Sequence, residues 1–380
     1  MKPYKLLFLF LLAIFCSCNK TIEKSDSVEL IIIRKNTIPE ASTLSEVMRS
    51  VRIVPLETTD ESLMAHIFQM EIHDNLIYMI NYPNNNGVKI FNTDGKYIRS
   101  IGREGKGPGE FTELMSFSVL PKENKIYLTD RGARKTSAFD LEGKFIEEIS
   151  TPVRPADLKF VTPDKYYVYY PKGHYMRLVS LSGEETKNFI PFVNGYNGYG
   201  NAIFTQADHS YLYSPTYHDS IYSLGKDSLV LEYAFDFGPF QWSGEEQVRH
   251  SSDHRMSYPP NKLAPGSSFF DFGKFLHFTM FIEDENDRYT IDPFLWIKED
   301  DKLIRMNDDS DDILFCGSHN VVGVSPNNEW ISYADAIGLI ESYALISQNA
   351  AFKYPKDLLD QIKKLEEEDN PVLIFYTLKN

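Results

Sequence analysis

The segment Phe91-Asn-Thr-Asp-Gly95-Lys-Tyr-Ile recurs as Phe139-Asp-Leu-Glu-Gly143-Lys-Phe-Ile, with the two glycines 48 positions apart. Each copy follows a matching run, Asn75-Leu-Ile-Tyr78 or Asn124-Lys-Ile-Tyr127. Weaker copies are Tyr166-Tyr-Val-Tyr169 with Leu181-Ser-Gly183, and Tyr211-Leu-Tyr213 with Ser220-Ile-Tyr-Ser-Leu-Gly225. An acidic residue followed by Gly between two such runs is a hairpin signal, because glycine takes the positive φ of a tight turn. Each unit holds about four short runs rich in β-branched and aromatic residues, split by Gly, Asn or Asp. A period of about 40–50 residues with four strands per unit specifies a β-propeller, in which each small sheet buries its faces against its neighbours. An irregular β-sandwich would leave the fixed interval unexplained.

Blades are predicted to start near His66, Leu114, Asp157, Ala202, Ser267 and Asp312, which makes six. Seven is the rival count, because insertions blur the later periods. The last unit reads as strands at 321–324 and 330–333, a helix over 357–367, and a closing strand over 371–378. The apolar face of that helix is Leu358, Leu359, Ile362 and Leu365. An early strand, Val51-Arg-Ile-Val-Pro-Leu56, is expected to complete this blade and pair the two ends of the chain. The fold class is therefore all-β: a six-bladed propeller over residues 50–380 with a short C-terminal helix before the closing strand.

The N-terminus reads as a secretion signal. Lys2 and Lys5 precede an unbroken apolar run over residues 6–15, which is too short to span a bilayer of about 30 Å as a helix. The run ends in Phe15-Cys16-Ser17-Cys18, and small Ser17 marks Cys18 as the residue that becomes the lipidated N-terminus of a bacterial lipoprotein. Residues 1–17 are the signal, and residues 18–49 are a lipidated cysteine, a polar tether and a lead-in. The expected address is the cell envelope, as an outer-membrane lipoprotein facing periplasm or exterior. Cleavage leaves Cys316 as the one unmodified cysteine, so no disulfide pair exists, and its apolar setting predicts a buried thiol.

Charge narrows the partners. Lys+Arg is 39 against 54 Asp+Glu, a net charge of −15 with no basic block. Such a chain repels phosphate backbones, which argues against nucleic-acid binding.

The stretch Val54-Pro-Leu-Glu57, the unit 91–101 and Gly102-Arg-Glu-Gly-Lys-Gly-Pro-Gly-Glu-Phe111 together resemble a family of six-bladed β-propeller lipoproteins, similar to propellers of the NHL type. His218-Asp-Ser-Ile-Tyr222 and Asp369-Asn-Pro-Val-Leu373 extend the likeness over roughly residues 50–380. The third unit departs from it, with Ser182-Gly183-Glu184 in place of Asp-Gly-Lys, and residues 238–268 are a long insertion. The resemblance implies fold and surface location but carries no catalytic residue.

With strands lettered A to D from channel to rim, the A–B and C–D turns are short and share one face of the ring. The longer B–C and D–A connections share the other. Loops on a rigid scaffold are where binding residues concentrate, so the long-loop face is the expected binding surface. It carries Arg103, Arg131, Arg134, Arg154 and His174, with aromatic Tyr82, Tyr196, Tyr199 and Trp242. Of these, Arg103, Arg131, His174, Tyr196 and Trp242 are the ligand-binding candidates. Stacking surface combined with donors suits a glycan or a peptide, or an outer-membrane protein partner.

Catalytic signatures are missing: no Gly-x-Ser-x-Gly, no His-Glu-x-x-His and no Cys-x-x-Cys. Gly105-Lys-Gly-Pro-Gly109 is not a phosphate cradle, because Pro108 removes an amide donor and no Lys-Ser/Thr pair follows. The acidic run 307–312 lacks the spaced ligands of a calcium loop and reads as a solvated turn. Ser243-Gly-Glu-Glu246 looks like a capping box, and Glu246, His250 and His254 would then share a helix face. His250 and His254 are weak metal candidates, and a solvated helix is the simpler reading. No cofactor is evident. The expected function is a membrane-anchored binding or scaffolding module; the alternative is a metal-assisted hydrolase or lyase working near the central channel.

Overall fold

A computed structural model of the 380-residue chain describes residues 22–81, 86–151, 157–172, 174–191, 204–206, 210–214, 218–242, 246, 261–283, 289–317 and 320–379. Six antiparallel sheets of the repeat type form a ring, the β-propeller that the 48-residue period requires. Blades 1 to 5 occupy 67–101, 114–150, 157–191, 204–236 and 264–305, and in each the strands pair in chain order. Blade 6 is built from Gly323–Val324, Trp330–Ala334, Val372–Leu378 and, on the outside, Met48–Pro55. That outer strand runs antiparallel to the last one from Met48↔Leu378 to Pro55↔Val372, so the ring is closed by the two ends of the chain.

The hairpin glycines adopt the backbone the sequence demanded of them. Gly95, Gly143 and Gly183 have φ of 83°, 92° and 85°. Three residues before each stands a short polar side chain that accepts from the turn. Asn92 Oδ1 takes the N–H groups of Asp94 and Lys96, Asp140 Oδ1 those of Glu142 and Lys144, and Ser180 Oγ that of Glu184. These are side-chain mimics of a backbone turn. The turns also strap neighbouring blades together. Glu57 N–H donates to Gly95 O at 2.8 Å, and the Arg99 guanidinium donates to Leu141 O at 2.6 Å. The Lys187 ammonium donates to Asp227 O at 2.6 Å.

The core lies between blades. Tyr78, Ile90, Phe117, Ile126 and Phe139 form one cluster shared by blades 1 and 2. Tyr127 of blade 2 stacks on Phe160 of blade 3 with centroids 3.7 Å apart. Stacking the repeats thus buries what no single sheet could.

Three features differ from expectation. The segment read as a polar tether is, from Ile22 onward, a strand (Ile22–Ile32) running parallel to Leu229–Asp236, which makes blade 4 five-stranded. The free edge of blade 4 supplies unpaired backbone groups, and Ile31 and Ile33 bury against the core beside it. The B–C connection of blade 6 contains, besides the expected helix (Leu358–Ile362), a longer one over Ala336–Gln348. The acidic run is not a solvated turn. Ser310 and Asp311 are buried, Asp311 accepts from the N–H groups of Ile313, Leu314 and Cys316, and Asp312 accepts from Ser45 N–H.

Candidate functional site

The innermost strands of a propeller line its channel, and here they carry charge. Along Ile67–His73 of blade 1, Met70 and Ile72 are buried in apolar packing while Gln69, Glu71 and His73 alternate with them on the other side of the strand. Glu71 is 2% exposed and meets Lys159 of blade 3, itself 1% exposed, at 2.6 Å. The Lys159 ammonium also donates to Phe117 O of blade 2 at 2.5 Å and lies 4.8 Å from the Tyr211 ring of blade 4. Tyr211 donates its hydroxyl to Glu71 Oε2 at 2.8 Å, and His73 Nε2 lies 3.0 Å from the same oxygen. Gln69 donates to Glu71 Oε1 at 2.9 Å. Across the ring, Gln206 of blade 4 accepts from Ile72 N–H at 2.9 Å and donates to Ile72 O at 3.0 Å. Blades 1, 3 and 4 thereby meet at one buried carboxylate, and blade 2 joins them through the Lys159 ammonium.

Burial, the largest single influence on Glu71, pushes its carboxyl up. The Lys159 charge and the bonds from His73 and Lys159 outweigh it and bring it down to about 2. Tyr211 moves the other way, well above the usual phenol range, because it is buried and faces the Glu71 charge. The pair is held as carboxylate and neutral phenol, so the hydroxyl proton stays where it donates. Chemically this is a filled site. The cation that a carboxylate and a neighbouring imidazole would otherwise attract is already present as the Lys159 ammonium. Among the described residues, no three of His, Cys, Asp and Glu gather as metal ligands would.

The long-loop residues are placed as follows. Arg103 has 81% of its side chain exposed and pairs with Glu110 at 2.7 Å. Glu110 also accepts from Gly107 N–H at 2.8 Å, and these two donors, the backbone one first, hold its carboxyl below the usual range. A Cβ on Gly105 would lie 2.1 Å from Glu110 Oε2. The glycine-rich loop therefore wraps its own carboxylate, which accounts for Gly105 and Gly107, while Gly102 and Gly109 are held close to Leu128 and Phe145. Arg131 pairs with Glu113. Asp130, 1% exposed, accepts from the N–H groups of Thr112, Glu113 and Ala133. Loop 102–113 and turn 130–134 are stitched into one assembly that presents Arg103 and Arg131. His174 opens the strand His174–Ser180, and its side chain lies outside the described residues. Tyr82, Arg154, Tyr196, Tyr199, His250, His254 and Cys18 also lie outside them.

Trp242 is a correction. It is 3% exposed, beside the bridge between Gln241 and Leu263, and its ring is packing rather than a face for a ligand. An aromatic in a long insertion looks the same in sequence whether it anchors the insertion or a ligand. A further feature was not anticipated: an open pocket of about 570 Å³ where blades 6 and 1 meet the C-terminal insertion. Its polar lining includes Glu57, Asp94, Lys96, Gln361, Lys364 and Asp369.

A family model described as a domain of unknown function, DUF4934, matches residues 30–377. Two solved structures share the architecture. One, from Bacteroides fragilis and named a candidate exported protein, has a TM-score of 0.73 at 16% identity, covering 92% of this chain and 100% of the other. The second, a member of the DUF4221 family from Bacteroides vulgatus, has a TM-score of 0.51 at 11% identity, covering 88% of this chain and 98% of its own. At these identities the likeness concerns fold. No curated protein matches the chain.

Proposed function

The chain belongs to the DUF4934 family, a domain of unknown function, and from that premise we propose that it is an exported, lipid-anchored propeller that binds or scaffolds through its long-loop face. The observation that carries this reading is the filled channel. Glu71 is neutralised by Lys159 and accepts a hydrogen bond from each of Lys159 and Tyr211 in the place where a propeller would otherwise hold a polar ligand. Removing Glu71 or Lys159 to admit a substrate would strand a buried charge, which is expensive. The surface left for recognition is the loop assembly, where Arg103 and Arg131 pair with Glu110 and Glu113 and most of the Arg103 side chain is exposed. Planar guanidinium groups held this way suit the hydroxyls and carboxylates of a glycan or a peptide. His174 and Tyr196 join this surface as candidates from the same loops.

Anchoring rests on Cys18 and the apolar run before it, and the exported relative of similar fold is in keeping with that address. No helix of the described residues is long and apolar enough to cross a membrane. The resemblance to six-bladed lipoproteins of the NHL type belongs to the same reading. A glycan and peptide array probed with the propeller, with and without EDTA, tests it. Binding that survives EDTA and weakens in Arg131→Ala is the expected result. Turnover of a small-molecule substrate that EDTA abolishes, and that His250→Ala or His254→Ala also abolishes, would replace binding with metal-assisted hydrolysis or elimination.

A further inference from the structure

Residues 22–55 run as a belt along the outside of three consecutive blades. Ile22–Ile32 pairs with Leu229–Asp236 on the outer edge of blade 4. Lys35 Nζ then donates to Asn261 Oδ1 at 2.7 Å and pairs at 2.8 Å with Glu283 of blade 5, whose side chain is 6% exposed. Ser42 N–H donates to Arg305 O at 2.8 Å, on the outer strand of blade 5. Ser45 N–H reaches Asp312 Oδ1 at 2.8 Å, and Met48–Pro55 closes blade 6 against Val372–Leu378. The partners thus advance from blade 4 to blade 6 as the belt does. Among the described residues, every long-range hydrogen bond of residues 22–55 goes to residue 229 or later.

Apolar side chains fasten the belt near each end. Ile31 and Ile33 are buried in the cluster shared by blades 4 and 5. Leu44, Val47, Met48, Val51 and Ile53 are buried in the cluster shared by blades 5 and 6. The side-chain bonds of the belt span from 202 residues, for Arg34 to Asp236, to 334 residues, for Lys379 to Ser45. Contacts of such range form late, because the entropy of closing the loop is lost before the contact rewards it.

We propose that residues 22–55 are a clasp that docks last and locks blades 4, 5 and 6 into one cooperative unit. The segment that comes first in the chain has its docking surface on the blades that come last, and it completes the ring only once Val372–Leu378 is in place. Blades 1 to 3 receive none of its hydrogen bonds and gain structure without it. Units of this kind open and close together in hydrogen exchange. The inference is independent of what the long loops bind.

Pulsed hydrogen exchange during refolding of the protein from urea, read by mass spectrometry, tests the order of events. Peptides over 76–81, 125–130 and 157–162 are expected to gain protection first. Those over 22–32, 48–55, 229–236 and 372–378 should follow together in one later phase. Protection of 22–55 ahead of blades 1 to 3, or of its two strands in separate phases, overturns the clasp. Native-state exchange of Arg34→Ala combined with Lys35→Ala tests the coupling, since these residues pin the belt to Asp236 and Glu283. Exchange should rise several-fold in 22–32 and 229–236 and also in the distant strands 48–55 and 372–378, with 76–81 and 125–130 unchanged. A rise confined to blade 4, a rise shared by all six blades, or no rise at all overturns the cooperative unit.

Discussion

Replacing Lys159 with methionine keeps the length of the side chain and removes its charge. Glu71 would be left 2% exposed with hydrogen-bond donors but no cation. A carboxyl held at about 2 when folded, against 4.5 when unfolded, corresponds to about 3 kcal/mol of stability near neutral pH. Breaking a buried ion pair by removing one partner costs about 3–5 kcal/mol. Lys159→Met, which removes one partner of that pair, is expected to lose about 3–5 kcal/mol in urea unfolding near neutral pH. The pH dependence has a definite sign. Glu71 is depressed when folded, so its contribution is complete above its unfolded value of 4.5 and is lost as pH falls toward about 2. The difference between parent and Lys159→Met should therefore shrink on acidification through that window. Glu71→Gln combined with Lys159→Met should lose less than the two single changes added together, by about 1–3 kcal/mol. Two single variants that each cost under about 1 kcal/mol and simply add would refute the claim that this pair ties the ring.

Gly95→Val should destabilise more than Gly143→Val in thermal melts. Both have positive φ, but a Cβ at 95 would lie 2.2 Å from Pro55 O while one at 143 meets nothing closer than Ile101 Cγ1 at 3.5 Å. About 1 kcal/mol is expected at 143 and clearly more at 95, and equal melting would contradict the strap between blades 6 and 1. Trp242→Ala should cost about 3–5 kcal/mol, as for a buried aromatic, and parental stability would return Trp242 to the list of surface candidates. Cys18→Ala should abolish fatty-acid labelling and release the protein from membranes, because the acyl chains supply the anchor. Labelling that persists in Cys18→Ala and disappears in Cys16→Ala would move the site.

The architecture was legible because its constraints are local. A tight turn needs positive φ, so glycine recurs at 95, 143 and 183, and the blade starts follow from the strands around each. The closing strand could be read because Val51, Ile53 and Val54 are apolar in a region with no other partner. The rim strand was missed although Val28, Leu30 and Ile31–Ile33 form an apolar run with Ile31 buried, because its first half is polar and it pairs in parallel outside the repeat. Helix Ala336–Gln348 was hidden by weak segregation of apolar residues, only Ala336, Leu339, Ser342 and Ile346 being buried. The channel cluster combines Gln69, Glu71 and His73 of one blade 1 strand with Lys159 of blade 3 and Tyr211 of blade 4, residues far apart in the sequence. The one available signal was polar alternation at Gln69, Glu71 and His73 within an otherwise apolar inner strand. Loop residues such as Arg103 could be assigned to a face by connectivity, but their carboxylate partners depend on loop conformation.

A bound ligand marks the binding face. Hydrogen–deuterium exchange of the propeller with and without a ligand recovered from the array reports this directly, peptide by peptide. Protection is predicted in the long-loop assembly, residues 102–113 and 130–134, with the short turns at 73–75, 93–95 and 141–143 unchanged. Protection confined to the short turns, or centred on the channel strands that carry Glu71 and Lys159, would contradict it.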